Sequence, residues 1–239
     1  MTTGLTYSTY KTQIATLAVV SETDPNFLTI LPQTITYAEN RIYRDLDLLS
    51  TVTPNTSYSL ATGNRNLTVP ASTFVTIQEV NVILPAGTSN PELGTRVPLL
   101  PVTKEYLNTI YTSLSGASTP QYFAMIDQSN MIVGPWPDNN YTVEIVGTIR
   151  PASLSAANTE TFISLYLPDL FIMASMIYVS GYQRNFGRQS DDPAMAQSYE
   201  SQYQALLKGA TVEEYRKKFQ SSGWSSMSPA VAATPSRGQ

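Results

Sequence analysis

The chain has 239 residues, 42% apolar and 10% aromatic, which is enough to core one large domain or two small ones. Charged residues are only 13%, about half the usual ~25%, and the formal net charge is -4, which excludes a non-specific nucleic-acid binder built on clustered Lys and Arg. With no Cys and no His, disulfide frameworks, Cys-ligated zinc, thiol nucleophiles and the commonest general base are excluded.

The start, MTTGLTYSTYKTQ, has no basic stretch leading into an apolar run, so no signal peptide is expected. Residues 6 to 20 predict an amphipathic helix, with Tyr7, Tyr10, Ile14 and Leu17 at spacings of 3, 4 and 3. A turn at SETDPN leads to a second helix over 27 to 48, with Pro32 near the start of its regular part. Its apolar stripe is Leu31, Ile35, Ala38, Ile42, Leu46 and Leu49, and the charges Glu39, Arg41, Arg44, Asp45 and Asp47 are placed off that stripe.

From Ser50 to about Arg150 the pattern shifts to Thr, Val, Pro, Asn and Gly, with short alternating runs between turn residues. The runs are 57 to 60, 65 to 69, 73 to 84, 121 to 127, 131 to 133 and 141 to 149, predicting five or six antiparallel strands. One short helix is expected inside, over 103 to 113, with Thr103 as its N-cap.

Phe162 to Tyr182 is apolar almost all round, which raises a membrane span. Pro168 and Asp169 interrupt it, and the apolar length beyond them falls short of a span. A central bundle helix, started in its main body by Pro168, is the expectation. Asp191 to Lys218 predicts the last helix, with Met195, Tyr199, Leu206, Tyr215 and Phe219 on its apolar face. The segment 221 to 239, SSGWSSMSPAVAATPSRGQ, has the composition of a tail.

The expected fold is therefore α+β: a four-helix bundle from 1–50 and 160–220, with an antiparallel β unit, 51–159, inserted between the second and third long helices. An extended C-terminal tail, 221–239, follows.

No catalytic, cofactor-binding or metal-ligating residue is assigned. Glu144, Asp127 and Asp138 are close enough in sequence to suggest paired-carboxylate glycoside hydrolysis. Asp127 and Asp138, however, fall in predicted turns, where Asp serves local hydrogen bonds. Lys104–Glu105 and the run Glu213, Glu214, Arg216, Lys217 and Lys218 read as solvated helix charges. Arg41, Arg44, Asp45 and Asp47 form a charged face that is either a seam between subunits or a solvated helix surface. Trp136, between two prolines, is either an interface anchor or a core plug under a turn, and the plug is the expectation. Trp224, with Met227 and Pro229, lies in a tail without a core of its own and so reads as an anchor for a partner.

Several stretches together resemble one family. The segment LPQTITYAENRIYRDLDLLSTVT, with Ala38, Glu39, Ile42, Arg44, Asp45 and Leu46, resembles the second helix of head-to-tail adaptor proteins of short-tailed phages. These are also called tail tubular protein A or head completion proteins. STPQYFAMIDQSNMIVGPWPDNNYTVEIVGTIRPASLS resembles the family's Pro- and Tyr-marked β segment, and LPDLFIMASMIYVSGYQRNFGRQSDDPAMAQSYESQYQALL its closing helix pair.

The resemblance runs over about residues 5 to 220 and departs in the low charge and the tail. It implies a non-enzymatic virion protein of the neck or tail, made in the host cytoplasm. A dodecameric ring would sit beneath the portal protein, extend the DNA channel without binding DNA specifically, and receive the tail nozzle protein. In that reading the strand at 141 to 149 and its Pro151 exit return the β unit to the bundle. No membrane partner is implied. Two other classes remain open: a tail-associated glycan-binding or lytic module, and a membrane protein built on 162 to 182.

Overall fold

Short polar side chains start the first two helices. Thr6 caps α1 (Tyr7–Leu17): its hydroxyl accepts the Thr9 N–H at 3.3 Å, and the Thr9 hydroxyl accepts the Thr6 N–H at 2.8 Å. Asp24 caps α2 (Pro25–Asp45), accepting from the N–H groups of Asn26 and Phe27 at 2.8 and 3.1 Å, with Pro25 at the first helical position. The structure is a computed structural model that describes residues 4–184 and 193–219, apart from the side chains of 182–184 and 193–196. The side chain of Met195 and the tail residues Trp224, Met227 and Pro229 thus lie outside the described residues.

Two units emerge, 1–50 with 151–239, and 51–150. In the first, α1, α2, α4 (Phe162–Tyr166), α5 (Pro168–Arg184) and α6 (Pro193–Phe219) enclose one apolar core. Leu31, Ile35, Ala38, Ile42 and Leu46 are all buried, as their spacing requires. The helix stops at Asp45, and Leu46 is extended at φ -120, ψ 131. That break turns Leu48 into the core and leaves Leu49 46% exposed, contrary to the expected stripe. Tyr10 stacks on Phe171 with ring centroids 4.6 Å apart, and its hydroxyl lies 2.7 Å from that of Ser175.

The α1–α2 turn closes α1 with two reversed hydrogen bonds, Val20 N–H to Ala15 C=O at 3.0 Å and Val19 N–H to Thr16 C=O at 3.1 Å. This motif needs a left-handed residue, usually Gly; here it is Val19 at φ 55, 79% exposed.

The second unit holds β1 (Val52–Leu60), β2 (Asn66–Thr68), β3 (Thr76–Leu84), β4 (Thr95–Pro98), β5 (Leu100–Pro101), α3 (Lys104–Ile110), β6 (Tyr122–Met125), β7 (Asn130–Gly134) and β8 (Tyr141–Thr148). One sheet runs β1-β8-β3-β4, all antiparallel; the other runs β2-β7-β6-β5, with β5 and β6 parallel. Val80, Val82, Val143 and Ile145 of the first sheet share a core with Leu67, Met131 and Val133 of the second. The alternate residues Ala124 and Ile132 instead pack on Leu107 of α3.

β8 lies between β1 and β3, with Val52 opposite Thr148, so the chain leaves this unit beside the place it enters. Gly147 is required in β8: a Cβ there would sit 2.5 Å from the Thr76 carbonyl oxygen and 2.7 Å from the Phe74 ring. Edges are blunted by Pro54 and a register shift in β1, and by Pro98 and Pro101 in β4 and β5.

The expectation of a four-helix bundle carrying one inserted antiparallel β unit is corrected by this architecture. The described residues form six α-helices and two four-stranded sheets, although the mixture of helix and sheet stands. Two physical reasons account for the difference. Pro168 has no N–H and disfavours helical geometry at Leu167, which sits at φ -130, ψ 45, so the expected long helix splits into α4 and α5. The β region also folds as two four-stranded sheets around a core of its own, not as one antiparallel unit. Among the described residues no helix is long and apolar enough to cross a membrane.

Candidate assembly interface

The outer face of α2 carries two rows of residues four apart: Pro32, Thr36, Asn40 and Arg44, and Gln33, Tyr37, Arg41 and Asp45. With Tyr178 of α5 they line an open groove of about 660 Å³. The rings of Tyr37 and Tyr178 lie 4.9 Å apart, and the Tyr178 hydroxyl bonds Gln33 Oε1 at 3.1 Å, which fixes the aromatic wall. Pro32 cannot donate to the Leu28 carbonyl, yet α2 continues through it because it lies on the exposed face.

The four charges expected on this helix divide. Arg41 is held inside the chain: Nη2 donates to Glu200 Oε1 at 2.6 Å, Nε lies 3.7 Å from Asp45 Oδ2, and the guanidinium sits 4.3 Å from the Tyr203 ring centroid. The Tyr203 hydroxyl donates to Asp45 Oδ2 at 2.7 Å. Burial, and then that carboxylate acceptor, push the Tyr203 phenol well above its ordinary value. The hydrogen bond from Arg41 is the main reason the Glu200 carboxyl titrates below its usual range. Asp47 pairs with Lys218. These contacts strap α6 to α2 and to the turn after it. Arg44 stands apart, exposed, with no ion pair or hydrogen bond among the described residues.

Glu39 needs a correction. Placed off the apolar stripe by the sequence reading, it is 2% exposed. Its spacing explains this, because Ile35, Glu39 and Ile42 step by four and three and share a face. Oε1 accepts the Leu154 N–H at 3.0 Å, while Oε2 is buried without a hydrogen bond. Burial is the main cause that raises its carboxyl above the usual range, against the lowering effects of the Leu154 N–H and of the Ser153 side chain.

Glu214, read as a solvated helix charge, is buried too. It accepts the Leu49 N–H at 3.2 Å and the Lys217 ammonium at 2.7 Å.

The carboxylates that sequence proximity suggests as a hydrolytic pair have separate structural tasks. Glu144 is buried and takes Arg96 Nε at 2.8 Å and Asn81 Nδ2 at 3.2 Å. Asp127 closes the β6–β7 turn through the N–H groups of Ser129 and Asn130, and those bonds, with the Asn130 side chain first, lower its carboxyl. Asp138 accepts the Tyr141 hydroxyl at 2.6 Å. Trp136 is half-buried and donates its indole N–H to the Tyr111 carbonyl at 2.9 Å. A smaller groove in the β unit, about 450 Å³, is lined by residues such as Phe74, Ile77, Phe123 and Met125 and has no carboxylate in its wall.

A family model described as SU10 adaptor protein matches residues 5–230, spanning both units. This bears out the resemblance to phage head-to-tail adaptors. No curated protein matches the chain.

Proposed function

This chain belongs to the SU10 adaptor protein family, and we propose that its copies close into a dodecameric ring joining the portal protein to the tail nozzle. A structural adaptor role in the phage particle follows from the family; the ring, its stoichiometry and its two neighbours are our reading. The observation that carries it is the match over residues 5–230, which includes the helical and the β unit alike.

The α2 groove supports it as well. A tyrosine-walled stripe with Arg44, which has no partner among the described residues, has the aromatic and arginine composition of protein interfaces. The role is architectural, with no reaction catalysed. DNA crosses the ring lumen without specific binding, in keeping with a net charge of -4. The protein is made in the host cytoplasm and resides in the neck of the virion. The free chain is a monomer that assembles on its template, and Trp224, Met227 and Pro229 anchor the C-terminal segment on the portal or on a neighbouring copy.

The test is to mix the purified chain with the portal protein of the same phage and to measure the mass and stoichiometry of the product. A chain truncated after residue 219 is run beside it. A ring-sized complex supports the reading, and its loss on truncation assigns the docking to the tail. No complex with the full chain refutes it.

A further inference from the structure

We propose that the α2 groove of one copy receives the Tyr166–Asp169 corner of the next, so that the ring is sealed by Arg44 meeting Asp169 and by Tyr166 against the Tyr37–Tyr178 wall. This rests on the ring reading above and names its contact surfaces.

The groove offers one uncompensated cation. Arg41 is neutralised by Glu200 and Asp45, whereas Arg44 has no anionic partner among the described residues. Its complement must be an exposed anion that is free in the same way. Among the described acids of the helical unit, Asp45, Asp47, Glu200, Glu213 and Glu214 are paired with cations. Glu22 accepts the Thr12 hydroxyl, Asp24 caps α2, and Glu39 is buried. Glu160 and Asp169 remain. Asp169 bonds only the adjacent Leu170 N–H at 2.8 Å. Three residues before it, Tyr166 is 64% exposed, and its ring is held against Phe162 with centroids 4.9 Å apart. An oriented, solvent-facing tyrosine with an exposed carboxylate three residues further on is the chemical counterpart of a tyrosine-walled groove with a guanidinium that has no partner among the described residues.

The placement on α5 supplies the geometry. Asp169 and Tyr178 are nine residues apart, about two and a half turns, so they lie on opposite sides of the helix and about 13 Å apart along it. One copy therefore presents groove and corner in opposite directions. Such a pair makes a head-to-tail contact, the kind that closes into a ring when the rotation between copies is a whole fraction of a turn, and does not make the self-complementary patch of a two-fold dimer.

The absence of cysteine makes the test clean. Arg44→Cys is prepared in one batch of chain and Asp169→Cys in another; the two are assembled together on the portal and oxidised. The expected product is a disulfide-linked pair containing one of each chain, absent when Arg44→Cys is combined with Glu79→Cys. Independently, Arg44→Asp raises the concentration needed for assembly about tenfold or more, equivalent to about 1.4 kcal/mol. Adding Asp169→Arg to the same chain restores assembly. Melting of the free Arg44→Asp chain falls by only a few degrees, because the change loses a cation in the last turn of α2 but no partner among the described residues. If the native chain assembles but the cysteine pair gives no link above control, or the reversed pair gives no rescue, the seam is elsewhere and this proposal falls alone. If the native chain forms no ring on the portal, both readings fall.

Discussion

Glu39 offers a decisive test of the physical reasoning, because its two oxygens have opposite circumstances. Oε1 accepts the Leu154 N–H at 3.0 Å, and Oε2 is buried without a hydrogen bond, although the Ser153 side chain lies close enough to lower the carboxyl in part. Burial raises the folded carboxyl above its unfolded value. A raised value means that the folded chain holds the proton more tightly. The stability linked to this group is thus fully present below the unfolded value and is lost as pH rises through the folded one.

Glu39→Gln keeps an oxygen for Leu154 and removes the ionisation. It is expected to match the native chain at about pH 4 and to exceed it at about pH 8. Glu39→Ala strands the Leu154 N–H at every pH, at a cost of about 1–3 kcal/mol. The readout is thermal melting followed by circular dichroism across that pH range, where each kcal/mol moves Tm by about 2–4 °C for a chain of this size. Equal melting of Glu39→Gln and native chain at both ends of the range would refute the account of a carboxyl strained by burial. A Gln variant destabilised throughout would show that Oε2 has a favourable partner.

Other consequences follow from single contacts. Val19→Gly relieves a β-branched residue at φ 55 and should raise stability by about 0.5–1 kcal/mol by denaturant titration, with no change in helix content. Gly147→Ala forces a methyl against the Thr76 carbonyl and the Phe74 ring, and should cost about 1–3 kcal/mol, read as a lower midpoint in urea. Tyr203→Phe removes the hydroxyl that donates to Asp45 while leaving the ring beneath Arg41. A loss of about 1 kcal/mol is expected, and most of it should vanish in an Asp45→Ala background by double-mutant cycle. Glu200 titrates low because of Arg41, so its contribution is present above the unfolded carboxyl value and lost as pH falls through the folded one; Arg41→Met should flatten that part of the acid-melting curve.

Local chemistry alone marked much of what was legible in the chain. The spacing of Leu31, Ile35, Ala38, Ile42 and Leu46 set the buried face of α2, because a helix returns to the same side every three or four residues. Thr103 was readable as the cap of α3, since its hydroxyl satisfies the Tyr106 N–H. The family was readable from the order of soft motifs along the chain.

Other features depended on partners distant in sequence. Glu39 is buried because the segment at Leu154 crosses it, and Arg41, Asp45 and Asp47 face residues of α6 more than a hundred and fifty positions away. Two sheets arose where one compact strand unit was expected, because strand pairing is decided by long-range register and shared core, to which composition is blind. Arg44 differs from its charged neighbours in having no partner among the described residues. Only the packed helices could distinguish that free charge from the three engaged ones, since periodicity places a residue on a face but does not say what lies across from it.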